Sequence, residues 1–141
     1  MTKPESLVVS TLVPVGPAEA WAAYTDPEMI RKWNFASEDW CCPSAEVDLR
    51  VGGQHNARME PKDGSEGFDF RGTYSEVEEP AALTLVLEDG RTSRTTFEKR
   101  GNETEVTTTF DADDSAPLDL QQQGWQAILD NYRKHVANRG A

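Results

Sequence analysis

Apolar residues recur along this chain with two different periods, and the change of period divides it. From Pro117 to Asn138 the period is helical: Trp125, Ile128, Leu129, Tyr132 and Val136 stand at i, i+3, i+4, i+7 and i+11, one face of a 3.6-residue repeat. At 1.5 Å per residue this helix spans about 30 Å, the width of a small domain. Between Ser44 and Phe110 the period drops to two, and short alternating runs are separated by turn residues. Leu7 to Val13 is a further strand, stopped by Pro14. Gly16-Pro17 then opens a helix, because proline suits a first helical position where its missing N–H would be unpaired anyway. Asp26 is a plausible N-cap for a second helix with Pro27 at its first position and Glu28 at the positive end of the dipole. The pattern predicts two short helices bent at Asp26-Pro27, with Met29, Ile30 and Trp33 on the apolar side of the second.

Asn34 to Pro43 reads as irregular. Ser44 to Arg50 alternates with Ala45, Val47 and Leu49 on one side, and Gly52-Gly53 makes a turn or bulge. Gln54 to Glu60 puts His55, Ala57 and Met59 on one face, and Pro61 to Ser65 forms a hairpin loop. In the next strand Phe68, Phe70, Gly72 and Tyr74 share a face, opposite Asp69, Arg71 and Thr73, and Glu78-Glu79-Pro80 ends it. Leu83, Leu85 and Leu87 alternate before Asp89-Gly90. Strands Thr92–Lys99 and Glu103–Phe110 flank Gly101-Asn102, and Asp111 to Ala116 is an acidic linker into the long helix.

Register decides which faces point inward. A two-residue turn at Gly101-Asn102 sets Phe97 opposite Val106 and Thr95 opposite Thr108. The other face then pairs Glu98 with Glu105, which is tolerable only in water. Thr95, Phe97, Val106, Thr108 and Phe110 therefore point in. At Asp89-Gly90 a two-residue turn would expose the three leucines, whereas a three-residue loop Asp89-Gly90-Arg91 hides them beside Phe97, since one residue of slip flips every side chain. The three-residue loop is the better reading. The order is strand, two short helices, six strands and a long helix. It describes an α+β chain in which an antiparallel sheet wraps a terminal helix.

With 141 residues, one domain over 1–141 is expected. A net charge of −11 argues against nucleic acid and anionic membrane surfaces, both of which need clustered Lys and Arg. No apolar run is long enough to span a bilayer, and Met1 to Ser6 has no apolar signal core, so a cytoplasmic protein is expected. Cys41 and Cys42 are adjacent, poorly placed to bond one another, and are expected to be free thiols. The sequence contains no nucleophile elbow, no phosphate-binding glycine loop and no histidine-based metal pair. No cofactor or metal is expected, and there is no positive argument for catalysis.

The run Pro17-Ala-Glu-Ala-Trp21-Ala-Ala-Tyr24-Thr25-Asp26-Pro27-Glu28, followed by Trp33, resembles the opening of domains related to the activator of heat-shock-protein-90 ATPase. Val47-Asp48-Leu49-Arg50-Val51-Gly52-Gly53 leads a strand that ends in Met59. Phe70-Arg71-Gly72-Thr73-Tyr74-Ser75-Glu76-Val77, Glu79-Pro80, Leu83 and Gly124-Trp125 continue the likeness over nearly the whole chain. The resemblance implies the helix-grip fold of the START-related SRPBCC superfamily: a curved antiparallel sheet gripping the C-terminal helix, with a cavity between them. Superfamily members bind lipids, sterols, hormones and polyketides, and a few are cyclases.

On that reading the candidate ligand-binding residues are Trp33, Phe35 and Trp40 near the cavity entrance, His55, Met59, Phe70, Leu85, Thr95 and Phe97 on the sheet, and Gln121, Trp125 and Leu129 on the helix. Each also has a plainer reading. Trp125, Leu129 and Tyr132 can be ordinary core, His55 a hydrogen-bonded structural histidine, and Gln121 a solvent-facing polar residue. Gly124 costs about 1 kcal/mol relative to Ala in a helix interior, so either something comes close to it or it is a tolerated defect. The first expectation is a module that binds a small lipophilic or aromatic molecule. A chaperone co-factor like the family's namesake is a second, weakened because the namesake carries an additional N-terminal domain. A cyclase or hydrolase using His55 as base is a third, and needs an inward acid or oxyanion donor beside it.

Overall fold

The computed structural model describes residues 5–35, 37–65, 67–113 and 116–139. Strand β1 (Ser6–Val13) is followed by helices α1 (Pro17–Thr25) and α2 (Pro27–Trp33). Strands β2 (Trp40–Val47), β3 (Gln54–Pro61), β4 (Phe68–Glu78), β5 (Ala82–Leu87), β6 (Thr92–Arg100) and β7 (Glu103–Asp111) come next, and then helix α3 (Leu118–Arg139). All seven strands form one curled antiparallel sheet in the order β1-β7-β6-β5-β4-β3-β2. The architecture is α+β and helix-grip-like, as the alternation and the resemblance predict. Met1–Pro4, read above for a signal core, and Asp114-Ser115 of the acidic linker lie outside the described residues. Among the described residues no helix is long and apolar enough to cross a membrane.

The two short helices meet at Asp26, whose carboxylate accepts from the Glu28 N–H at 2.9 Å, with Pro27 at the first helical position. The β6–β7 register is the predicted one: Phe97 faces Val106, Thr95 faces Thr108 and Glu98 faces Glu105. The like charges are reconciled by Arg100, which donates to both carboxylates at 2.9 Å. The three leucines of β5 are buried beside Phe97, but the loop that places them there is Glu88-Asp89-Gly90. Leu85 pairs with Ser93, and the Leu87 N–H donates to the Arg91 carbonyl, so Arg91 belongs to the ladder rather than to the turn. The shift is an even number of residues and keeps the same faces inward.

Apart from Ala36, which lies outside the described residues, the segment read as irregular is so only to Asp39. Trp40 to Pro43 already belong to β2, which in turn ends at Val47 rather than Arg50. Strand β2 is a sheet edge and carries a bulge between Cys41 and Ser44, so Pro43 removes no needed donor. Both cysteines are free, and burial raises the thiol pKa of Cys42. The opposite edge, β1, is covered by α3: Gln122, Gln126 and Arg133 donate to the Val8, Ser10 and Leu12 carbonyls at 3.0 Å each. Those carbonyls would otherwise offer a pairing edge to another chain.

Candidate functional site

The core fills the space between sheet and helices unevenly. At one end α1 and α2 bring a set of rings. Trp21 and Tyr24 meet Phe97 edge-on at 5.3 and 5.5 Å, and Tyr132 meets Tyr24 and Trp33 at 5.3 and 5.1 Å. Trp33 Nε1 donates to the Ala23 carbonyl and Tyr132 OH to the Ala20 carbonyl, so both polar ring atoms are satisfied while buried. Toward the other end, with Tyr24 and Trp33 as part of its wall, a cavity of about 270 Å³ remains between the sheet and α3.

Most of its wall is apolar: Val9 from β1, Ile30 and Trp33 from α2, Met59 from β3, Phe68 and Phe70 from β4, Leu83 and Leu85 from β5, and Trp125, Ile128 and Leu129 from α3. Trp125 lies flat on Phe110, with centroids 4.0 Å apart and ring planes 9° from parallel, and meets Phe70 edge-on at 5.9 Å. It thereby bridges β7 and β4 over the cavity. Phe68 is half exposed, stands near Trp40 at 6.1 Å, and brings the cavity to the surface.

Besides Thr25 and Asn34 at the C-terminal ends of α1 and α2, polar groups enter at three places. His55 Nδ1 and Tyr74 OH are 3.0 Å apart and both rings line the cavity. Burial lowers the His55 imidazole from its usual value to about 4, so it is neutral at pH 7. Burial likewise raises the Tyr74 hydroxyl well above its usual range, with the neighbouring Tyr24 adding to the effect. The hydroxyls of Tyr24 on α1, Thr95 on β6 and Thr108 on β7 form a chain, with links of 3.2 and 2.8 Å, and Ser93 adds another hydroxyl. At the β5–β6 hairpin Arg91 reaches the cavity while its Nε donates to Asp89 at 2.7 Å, and an Nη stands 3.9 Å from Asp113. His55 also borders a wider polar groove lined by Glu46, Asp48, Arg50, Asn56, Arg71 and Glu88.

Of the residues singled out in the sequence, Trp33, His55, Met59, Phe70, Leu85, Thr95, Trp125 and Leu129 come together on this wall. Four do not. Phe97 is covered by Trp21 and Tyr24 of α1, so it is core rather than lining. Phe35 packs against the core, and its carbonyl accepts from Asn131 of α3 at 2.6 Å. Trp40 stands behind Phe68. Gln121 is occupied with the linker: it accepts from the Asp113 N–H and donates to the Asp113 and Ala116 carbonyls, each at 2.7 Å.

Besides apolar residues such as Ile30 and Leu83, the wall holds Tyr24, Thr25, Asn34, Tyr74, Arg91, Ser93 and Thr108, none of them singled out in the sequence as lining residues. Alternation carried the signal for Tyr74, Ser93 and Thr108, since Tyr74 shares the face of Phe70, Ser93 that of Thr95, and Thr108 is read as inward. No group of three His, Cys, Asp or Glu among the described residues could hold a metal.

The site stands on a backbone shared with known proteins. The family profile described as Activator of Hsp90 ATPase homolog 1-like protein matches residues 14–137. The solution structure of the AHSA1-like protein from Aeromonas hydrophila is 40% identical, with a TM-score of 0.90 over 96% of this chain and 94% of that one. A protein from Cytophaga hutchinsonii, also solved in solution, is 34% identical, with a TM-score of 0.78 over 96% and 93%. A crystal structure from Nitrosomonas europaea, at 19% identity, shares the fold with a TM-score of 0.81 over 96% of each chain. No curated protein matches. The profile covers α1, α2, all of α3 but its last two residues, every strand from β2 to β7 and the whole cavity wall except Val9, and the chain therefore belongs to the family of Activator of Hsp90 ATPase homolog 1-like proteins.

Proposed function

We propose that this protein binds a small lipophilic or aromatic molecule in the cavity between the sheet and α3. The observation that carries the reading is the unfilled space itself: some 270 Å³ lined mainly by Leu, Ile, Met, Phe and Trp side chains, where protein interiors are otherwise closely packed. An apolar cavity of about 150 Å³ holds a benzene molecule. The volume here suits a bicyclic aromatic or a short acyl chain, and is small for a sterol. A few fixed polar groups in an apolar wall are the usual composition of a ligand site.

Catalysis receives less support. His55 has a hydroxyl partner in Tyr74, but no Asp or Glu among the described residues lines the cavity to orient it as a base. The test is an amide chemical-shift titration against fatty acids, sterols, flavonoids and aromatic polyketides. Saturable shifts centred on Phe70, Leu85 and Trp125 are expected for bicyclic or smaller members. Shifts confined to the outer face of the sheet, or none across the panel, would overturn the reading.

A further inference from the structure

The polar groups of the cavity differ in kind from its charged surroundings, and the difference bears on what the cavity accepts. The whole chain carries a net charge of −11. Among the described residues one charged side chain lines the cavity, Arg91, and its guanidinium is engaged by Asp89 at 2.7 Å with Asp113 nearby. An entering carboxylate would meet a cation already neutralised by one acid and approached by a second. Removing a carboxylate from water without a free partner is costly. A cationic ligand fares no better, because no Asp or Glu among the described residues lines the wall.

The hydrogen-bonding capacity that remains is neutral. Between them, a neutral imidazole and a phenol hold one N–H and one O–H proton. One of these lies in the 3.0 Å contact between His55 Nδ1 and Tyr74 OH. If Tyr74 donates, His55 keeps an Nε2–H donor and the tyrosine oxygen an open lone pair. If His55 donates, Tyr74 keeps its O–H and Nε2 accepts. In either tautomer the pair retains one donor and one acceptor. The His55 Nε2 left over is not sealed off, since the only fully buried, unpartnered side-chain polar atom among the described residues is Asn56 Oδ1.

We propose, building on the ligand-binding reading above, that the cavity selects an uncharged ligand whose hydroxyl or carbonyl oxygen is held by the His55–Tyr74 pair, and discriminates against the carboxylate of the same skeleton. Phe70, edge-on to His55 at 6.1 Å, and Trp125 beyond it provide the aromatic surface for that skeleton.

Three shape-matched probes test this on the unaltered protein by amide-shift titration: 2-methylnaphthalene, 2-naphthol and 2-naphthoate. The expected order has 2-naphthol tightest, roughly three- to tenfold tighter than 2-methylnaphthalene, the range of one net hydrogen bond. The expected affinity for 2-naphthoate is at least tenfold weaker than for 2-naphthol. In Tyr74→Phe the advantage of 2-naphthol over 2-methylnaphthalene should shrink to about twofold. Naphthoate binding as tightly as naphthol, or naphthol binding no better than methylnaphthalene, overturns the proposal while leaving ligand binding intact. Failure of all three to bind removes the ligand-binding reading and this proposal with it. Because the ranking is made on the unaltered chain, it decides the matter even if Tyr74→Phe folds poorly.

Discussion

The two halves of α3 carry the same apolar stripe and meet different surroundings. Toward its C-terminus, Leu129, Tyr132 and Val136 are 3%, 0% and 3% exposed. Toward its N-terminus, Trp125 is only partly buried and Gly124 has open space where a side chain would be. The difference comes from the facing layer. Tyr24 of α1 and Trp33 of α2 pack on Tyr132, whereas Trp125 faces Phe70 and Phe110 of the sheet beside the cavity. A helical repeat records that a face is buried against something. Whether that something fills the space depends on rings supplied from about a hundred residues earlier in the chain.

This contrast can be broken most directly by truncating one ring from each half. Tyr132→Ala should cost about 3–5 kcal/mol, as expected for a fully buried aromatic whose site cannot collapse. Trp125→Ala should cost about half as much, because one side of that ring already borders empty space. Urea unfolding of both variants measures the pair, and equal losses would mean that the two halves are packed alike.

A smaller effect should appear with pH. His55 has a folded pKa of about 4, below its ordinary value near 6.5, so the unfolded chain takes up a proton first as pH falls. Its contribution is complete above pH 6.5 and is lost on acidification toward pH 4, by up to about 3 kcal/mol. Comparing unfolding of the unaltered protein and His55→Gln at pH 7 and pH 4.5 isolates the contribution, since the carboxylates titrate in both. The unaltered chain should lose more stability over that interval, and parallel losses would count against a desolvated imidazole.

The smallest expected change is a gain. Nothing stands within 4 Å of a Cβ built on Gly124, so Gly124→Ala should stabilise by up to about 1 kcal/mol through helix propensity. A higher melting temperature together with weaker naphthol binding would show that the glycine makes room for a ligand rather than for the sheet.

Strand order, the bend at Asp26 and the Phe97–Val106 register were legible because period-two alternation, an N-cap followed by proline and a Gly-Asn turn each have a local cause. The start of β2 was not. Cys41-Cys42-Pro43 looks like a loop until the strand is known to lie at a sheet edge, which is a tertiary fact. The cavity was legible in part. His55, Phe70 and Trp125 could be placed by face, but Phe97 has the same face and is core, because Trp21 and Tyr24 happen to lie over it. No local pattern distinguishes a wall residue from a filled one. Gly72 shows the same limit: an added Cβ would stand 2.6 Å from Leu85 Cγ, a closeness set by β5 and invisible in β4 alone.

The cover that α3 lays over β1 has a temporal consequence. Strand β1 pairs with β7, joining Ser6 to Asp111, and its outer carbonyls are taken by Gln122, Gln126 and Arg133. Both partners are made about a hundred residues later, so during synthesis β1 waits on the order of 5–20 s before either exists. Contacts of such long sequence separation also slow folding, because loop closure precedes the reward of pairing. β7 gives β1 a native neighbour on one side before α3 exists, but a nascent chain stalled before Gln122 would still present Val8 and Leu12 on an uncovered outer edge to whatever chaperone or neighbouring chain it meets.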